Sequence, residues 1–150
     1  MQIQKFNIRV YGILMNEHSQ VLVTDELIKG HPVTKFPGGG LEYGEGTIDC
    51  IKREFIEETN HEIDVLEHFY TTDFFQASAY NPVHQIISVY YIVKPKNDFN
   101  IRTTAKVFDF ANAVNYEQTF RWVNLKDITE EHFTLPIDKV IGRMLKEKYA

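Results

Sequence analysis

Pro37-Gly38-Gly39-Gly40 constrains this chain more than any other stretch. Proline removes a backbone donor and fixes φ, and three consecutive glycines permit dihedrals that other residues resist. The segment Lys35–Gly40 is therefore expected to be a special loop rather than a regular element. On its C-terminal side, Gly46 and Thr47 can cap a helix predicted over about 47–59. Ile48, Ile51 and Phe55 stand at i, i+3 and i+7 in it, the spacing of a buried stripe. Asp49 falls near the positive end of the helix dipole. Asn60 follows the last turn, where a left-handed residue often stops a helix.

The residues before the loop read as strands. Ile8, Val10, Gly12 and Leu14 alternate with Arg9, Tyr11, Ile13 and Met15, and Asn16–Ser19 is a turn signal leading to Gln20–Thr24. The pair is expected to form a hairpin, followed by a loop containing Gly30 and Pro32. Beyond the helix, 62–76 and 84–94 look like strands, and 96–106 is polar and turn-rich. Strand-like sequence returns at 106–111 and at 119–124 around Trp122. Asp127 to Phe133 reads as a short helix. Pro136 suits the first turn of a closing helix whose apolar face is Ile137, Val140, Ile141, Met144 and Leu145. With no repeat, low-complexity tract or linker, the expectation is one mixed α/β domain over residues 1–150.

Composition narrows the function classes. Sixteen basic residues against twenty-one acidic ones give a net charge of −5. That balance argues against coating a nucleic-acid polymer, which needs a basic face. The single cysteine, Cys50, excludes an internal disulfide, and with six scattered histidines it provides no zinc framework. The first residues lack the apolar run of a signal peptide, and no window approaches a membrane span, so no membrane partner and a cytoplasmic address are expected.

Chemistry concentrates between Gly39 and His61. Glu54, Glu57 and Glu58 stand at i, i+3 and i+4, on one helical face with Cβ atoms about 5–6 Å apart. An arbitrary E-x-x-E-E is most often a solvated acidic face. Here the carboxylates lie opposite an apolar stripe and just after a glycine loop with backbone carbonyls. That makes an all-oxygen site suited to a hard cation such as Mg2+, which takes one or two carboxylates plus substrate phosphates and waters.

These residues resemble the Nudix hydrolase family, whose box reads G-x5-E-x7-R-E-U-x-E-E-x-G-U, with U a bulky apolar residue. Gly39, Glu45, Arg53, Glu54, Phe55, Glu57 and Glu58 fall on seven of its nine fixed positions; chance gives ~10⁻⁸ per window. Asn60 stands in place of the box glycine. His61 stands in place of the last apolar residue, with Ile63 available for its core contact. Phe36-Pro37-Gly38-Gly39 looks like the loop entering the box in MutT-type members, and Phe120-Arg121-Trp122-Val123 is similar to a late strand of the family.

The resemblance implies an α+β fold of the Nudix α/β/α sandwich type, a mixed sheet between helices. It implies hydrolysis of a nucleoside diphosphate linked to another moiety, by water attack on phosphorus. Gly39 would offer its carbonyl to a metal, and Glu54, Glu57 and Glu58 would ligate Mg2+ or Mn2+. Glu45 and Arg53 would pair to clamp loop to helix, and Glu54 is a candidate general base. The implied partner is a small nucleotide; a homodimer is compatible with the sequence, which does not name the oligomeric state.

Several residues outside the box are weighed for substrate binding. Many members use a further glutamate, for which Glu117 is the candidate against a plain surface charge. Phe36 is a candidate base platform or, alternatively, packs against the helix. Tyr80, Tyr116, Phe74 and Phe75 are alternative platforms. Thr24-Asp25-Glu26 stands where many MutT-type members carry a phosphate-binding arginine, leaving Lys35 and Arg9 as substitutes. Nucleoside triphosphates, nucleotide sugars, ADP-ribose and dinucleoside polyphosphates remain open. Cys50 is read as core. The competing function is a non-catalytic Nudix-fold nucleotide sensor or regulator, which would usually carry a degenerate box. An isomerase on this fold would want a cysteine in the cleft.

Overall fold

The structure, a computed structural model, describes residues 2–150. In chain order the elements are β1 (Lys5–Leu14), β2 (Gln20–Ile28), β3 (His31–Lys35), β4 (Gly38–Gly40), α1 (Thr47–Thr59), β5 (Ile63–Thr71), β6 (His84–Pro95), β7 (Gln118–Asn124) and α2 (Pro136–Tyr149). Two single 3₁₀ turns, Leu125–Asp127 and Glu130–His132, precede α2. The fold is mixed α+β, as expected, and has two sheets. The chain forms two compact units, one from residues up to Leu14 together with Pro37–Phe99, the other from Met15–Phe36 with Asn100–Ala150.

In the first unit the sheet runs β4-β1-β6-β5. β1 pairs in parallel with β6, from Lys5 opposite His84 to Leu14 opposite Val93, and antiparallel with β4. Side chains alternate across a strand, and Gly12 shows which side of β1 the helix covers. A Cβ at Gly12 would sit 2.5 Å from Cε2 of Phe55 on α1. Val10, Gly12 and Leu14 therefore face α1, and Arg9, Tyr11 and Ile13 face away. Val10, Leu14, Ile51 and Phe55 are all fully buried or nearly so.

In the second unit the antiparallel sheet runs β3-β2-β7. β2 and β3 are joined by Lys29 and Gly30, with φ of 49° and 79°, the positive pair that a two-residue type I′ turn requires. Val21, Leu22, Val23 and Phe120 supply sheet core, and Ile137, Ile141 and Leu145 are the buried residues of α2's apolar stripe. Gly142 is needed where α2 approaches Phe133, because a Cβ there would lie 2.8 Å from the ring.

Several expectations are corrected. β1 and β2 are not a hairpin: beyond a single bridge, Met15 to Val21, they join different sheets. The expected loop around Pro32 is strand β3, and Gly38–Gly40 is a short strand, since glycines can still make ladder bonds. Residues 106–111 form no strand; Phe108 there takes φ of 56°. The helix expected at 127–133 reduces to the two 3₁₀ turns. Ile48 is 45% exposed, so the stripe of α1 consists of Cys50, Ile51, Phe55 and Thr59.

Candidate active site

α1 spans the predicted residues and stops at the predicted one. Asn60 takes φ 58° and ψ 29°, and its N–H donates to the Ile56 carbonyl. Cys50 is fully buried and sits against the Gly40 carbonyl, Sγ to O 3.6 Å. Burial pushes its thiol up to about 12, so it is not a thiolate nucleophile at neutral pH. Ile63 is buried, while His61 lies 4.8 Å from the Phe99 ring.

Arg53 organises the polar face. Its Nε and Nη2 donate to the two carboxylate oxygens of Glu45 at 2.9 and 2.7 Å, and Nη1 donates to Glu54 at 3.0 Å and Glu57 at 3.1 Å. Nη2 also reaches the Gly40 carbonyl at 3.1 Å. The hydrogen bonds from Arg53 hold the Glu45 carboxyl down at about 2, and the Arg53 guanidinium is in turn pushed above its ordinary value, chiefly by Glu45. One cation thus gathers four carboxylates, Glu42 being the fourth at 3.7 Å from Nη1, and ties β4 and the following loop to the helix.

The glycine strand lies against the same face. A Cβ at Gly39 would sit 2.5–2.7 Å from the carboxylate atoms of Glu54, so any other residue there would make this carboxylate shift. Glu58 Oε2 accepts the Gly38 N–H at 3.0 Å. Backbone direction alternates along β4. Gly12 N–H donates to the Pro37 carbonyl and Leu41 N–H to the Ile8 carbonyl. The alternation makes Val10 and Gly39, paired midway between them, the next hydrogen-bonded pair of the antiparallel ladder. The expectation that the Gly39 carbonyl serves a metal is corrected accordingly, because it points into the ladder. Gly38 and Gly40 direct their backbone groups to the other edge, where Glu58 and Arg53 meet them. The signal in the sequence was the period of two itself, which a loop assignment concealed.

Among the described residues, no three His, Cys, Asp or Glu side chains are gathered as a ready-made metal cage. The donor chemistry nonetheless suits Mg2+. Three carboxylates from one helical turn offer only hard oxygens, Gly39 leaves a cradle for Glu54, and a cation that keeps waters and takes substrate phosphates needs few protein ligands.

The other candidates are placed as follows. Arg9, half-buried on β1, donates from Nε to Tyr11 Oη at 2.7 Å. Lys35 is buried in the second unit, 3.5 Å from Glu26. Phe36 is fully buried and stacks on Phe133 with ring centroids 4.6 Å apart. It is a core residue rather than a base platform. Glu117 accepts backbone N–H groups of Ala111, Asn112 and Val114 at 2.7, 3.2 and 3.3 Å. Desolvation works against its charge, but these donors outweigh it and hold its pKa below the usual carboxylate range. That is the environment of an ionised loop anchor. Phe74, Phe75 and Tyr116 are exposed and Tyr80 is half-buried. The sequence reading passed over Tyr11 as a partner of Arg9, although i, i+2 spacing on a strand places both on one face.

Comparison with known proteins agrees with this geometry. A family model described as NUDIX domain matches residues 5–143. The fold is similar to that of a NUDIX hydrolase from Nitrosomonas europaea, at 17% identity and a TM-score of 0.66, covering 95% of this chain and 91% of that one. It is similar to a MutT protein from Methanosarcina mazei Go1, at 17% identity and a TM-score of 0.67, covering 97% and 96%. An ADP-ribose pyrophosphatase from Streptococcus suis 89-1591 aligns at 15% identity and a TM-score of 0.60, covering 93% and 86%. No curated protein sequence matches significantly. The mixed α+β fold and the glutamate-bearing helix after a glycine strand define the class, and the match over residues 5–143 gives its name: the chain belongs to the Nudix hydrolase family.

Proposed function

We propose that the protein is a Mg2+- or Mn2+-dependent pyrophosphohydrolase acting on a small nucleotide, a nucleoside diphosphate linked to another moiety, with one Nudix domain spanning the chain. The observation that carries this reading is the single turn of α1 that brings Glu54, Glu57 and Glu58 to one face, with Glu54 seated on Gly39 and Glu58 on Gly38. Names of the structural neighbours, MutT protein and ADP-ribose pyrophosphatase, support a nucleotide substrate. Nucleoside triphosphates, nucleotide sugars, ADP-ribose and dinucleoside polyphosphates all fit the class. The buried lone thiol is in keeping with a cytoplasmic setting.

Glu54, Glu57 and Glu58 would hold the metal, with the outward-directed carbonyl of Gly38 in the role expected of Gly39. A bound divalent ion supplies screening of the phosphate charge and lowers the pKa of the attacking water. The chain's own residues do the positioning, from which phosphoryl transfer draws most of its acceleration. Arg53 orients Glu54 and Glu57 through Nη1, and Glu45 fixes Arg53 by accepting at both oxygens. Glu54, whose Oε1 accepts from Arg53, is the candidate to take the proton from water.

The test is release of inorganic phosphate or nucleoside monophosphate over a broad nucleotide panel with Mg2+. Turnover of a panel member that chelator abolishes supports the reading. Tight nucleotide binding with no turnover of any member favours a sensor instead.

A further inference from the structure

We infer that Tyr91 is a positioning residue for the box glutamates: its hydroxyl bonds to Thr47 at the start of α1 and sets where the helix sits along its own axis on the sheet. The inference rests on the proposed metal-dependent hydrolysis and deepens it by naming a residue outside the box on which the carboxylates depend.

Tyr91 Oη and Thr47 Oγ1 lie 2.6 Å apart, in hydrogen-bond contact. Thr47 is the first residue of α1, and the chain enters it through Gly44, at φ 89°, and Gly46, which caps the helix with no side-chain bond. Glycines leave that entry conformationally free, so the seat of the first turn falls to its contact with the sheet. Tyr91 stands on β6 directly opposite Gly12 of β1, and His68 of β5 stands directly opposite Tyr91. Gly12 faces α1, and so does this whole row. The His68 and Tyr91 rings meet edge-on, with centroids 6.0 Å apart and planes at 82°, and His68 Nε2 lies 2.8 Å from Thr71 Oγ1. The phenol is thus braced by β5 and bonded to α1.

The helix therefore meets the row at two points, Thr47 at Tyr91 and Phe55 at Gly12. They are about 12 Å apart along the axis, at 1.5 Å per residue. The two contacts do different work. Packing of Cys50, Ile51 and Phe55 is non-directional and decides which face of the helix is buried. A hydrogen bond has a length and a direction, and it fixes the setting along that face. A slide of one residue is about 1.5 Å, enough to unseat Glu54 from Gly39 and Glu58 from Gly38. The ties of α1 to β4 through Glu58 and Arg53 belong to the site itself. Tyr91 and Thr47 are neutral and are not among the candidate metal ligands, so their bond does not compete with a metal for the carboxylates. Misplacing a reacting group by about 1 Å costs up to about a hundredfold in rate.

The experiment compares wild type with Tyr91→Phe, Thr47→Val, Thr47→Ser and the double variant Tyr91→Phe/Thr47→Val. Arg121→Lys, which loosens the second unit and leaves α1 untouched, is the control for lost stability. Two quantities are read well below every melting temperature. One is kcat and KM for the best panel substrate with Mg2+. The other is Mn2+ affinity by electron paramagnetic resonance, which needs no nucleotide and no turnover. Tyr91→Phe and Thr47→Val should each lower kcat about tenfold with KM near wild type, and each should weaken Mn2+ binding. Thr47→Ser, which keeps the hydroxyl, should restore both quantities. The double variant should be no worse than either single one, as for two halves of one bond. Wild-type kcat and Mn2+ affinity in both single variants overturn the inference, as do additive losses in the double variant or an equal loss in Arg121→Lys. A wild type that hydrolyses no panel member sinks the proposed reaction, and the Mn2+ measurement then decides this inference alone.

Discussion

Arg53 grips Glu45 through two parallel hydrogen bonds of 2.9 and 2.7 Å, joining the middle of α1 to the loop that precedes it. Bidentate pairing fixes direction as well as distance, so Glu45 sets where Arg53 presents Nη1 to Glu54 and Glu57. The pair has a pH signature. The folded Glu45 carboxyl titrates at about 2 against an ordinary 4.5. A depressed folded pKa means that the unfolded chain takes up the proton first on acidification. The clamp's stabilisation is thus complete above about pH 4.5 and is lost progressively as pH falls towards 2. Glu45→Gln should flatten the melting-temperature profile between those values. A mutant profile parallel to wild type through that window would mean that the pair contributes nothing.

The helix stop gives a second test. Asn60 is left-handed with its N–H on the Ile56 carbonyl. Asn60→Gly should be neutral or slightly stabilising, because glycine is at ease at positive φ. Asn60→Val should cost about 1 kcal/mol or more, read by chemical denaturation. A Val variant as stable as wild type would show that the left-handed stop is dispensable.

The limits of α1, its left-handed cap and the buried Cys50 were legible in the sequence, because each rests on spacing within a few residues, and the Glu45–Arg53 pair was implied by the resemblance to the Nudix box. What the sequence hid is non-local. Val10 and Val21 both read as strand, but nothing local says that their strands join different sheets. Phe36 stayed open between base platform and packed residue because its stacking on Phe133, almost a hundred positions away, is non-local. The direction of the Gly39 carbonyl was hidden too, since carbonyl direction in β4 follows from register with β1 and not from composition. Arg9 and Tyr11 were both visible, but which side of the sheet they occupy becomes known only once Phe55 is seen against Gly12.

The second unit holds a charge pair that no motif announced. Asp25, with a fully buried side chain, accepts from Arg121 Nε at 2.6 Å and Nη2 at 3.0 Å, from Thr34 Oγ1 at 2.7 Å and from the Phe108 N–H at 3.1 Å. Removing one partner of such a pair leaves a buried charge uncompensated. Arg121→Ala should therefore destabilise by about 3–5 kcal/mol, measured by urea denaturation. Arg121→Lys should recover only part, because an ammonium cannot reproduce the fork. A loss within experimental error for Arg121→Ala would show that water reaches Asp25 and pairs it.

The central claim is that the α1 carboxylates hold the metal that activates hydrolysis, and ligand-linked melting of wild type against Glu58→Gln tests it most directly. A ligand that binds only the folded chain stabilises by RT ln(1 + [L]/Kd), about 2.7 kcal/mol at a hundredfold excess over Kd. Wild type should gain modestly from Mg2+ over chelator, since this ion keeps its waters. It should gain more when a non-hydrolysable nucleotide is added with the metal. Glu58→Gln should remain folded in chelator, lose most of the metal-dependent gain, and turn over substrate slower by orders of magnitude. Equal gains from metal and nucleotide in both proteins, with near-normal turnover in the mutant, would contradict the claim and leave the three glutamates a solvated face.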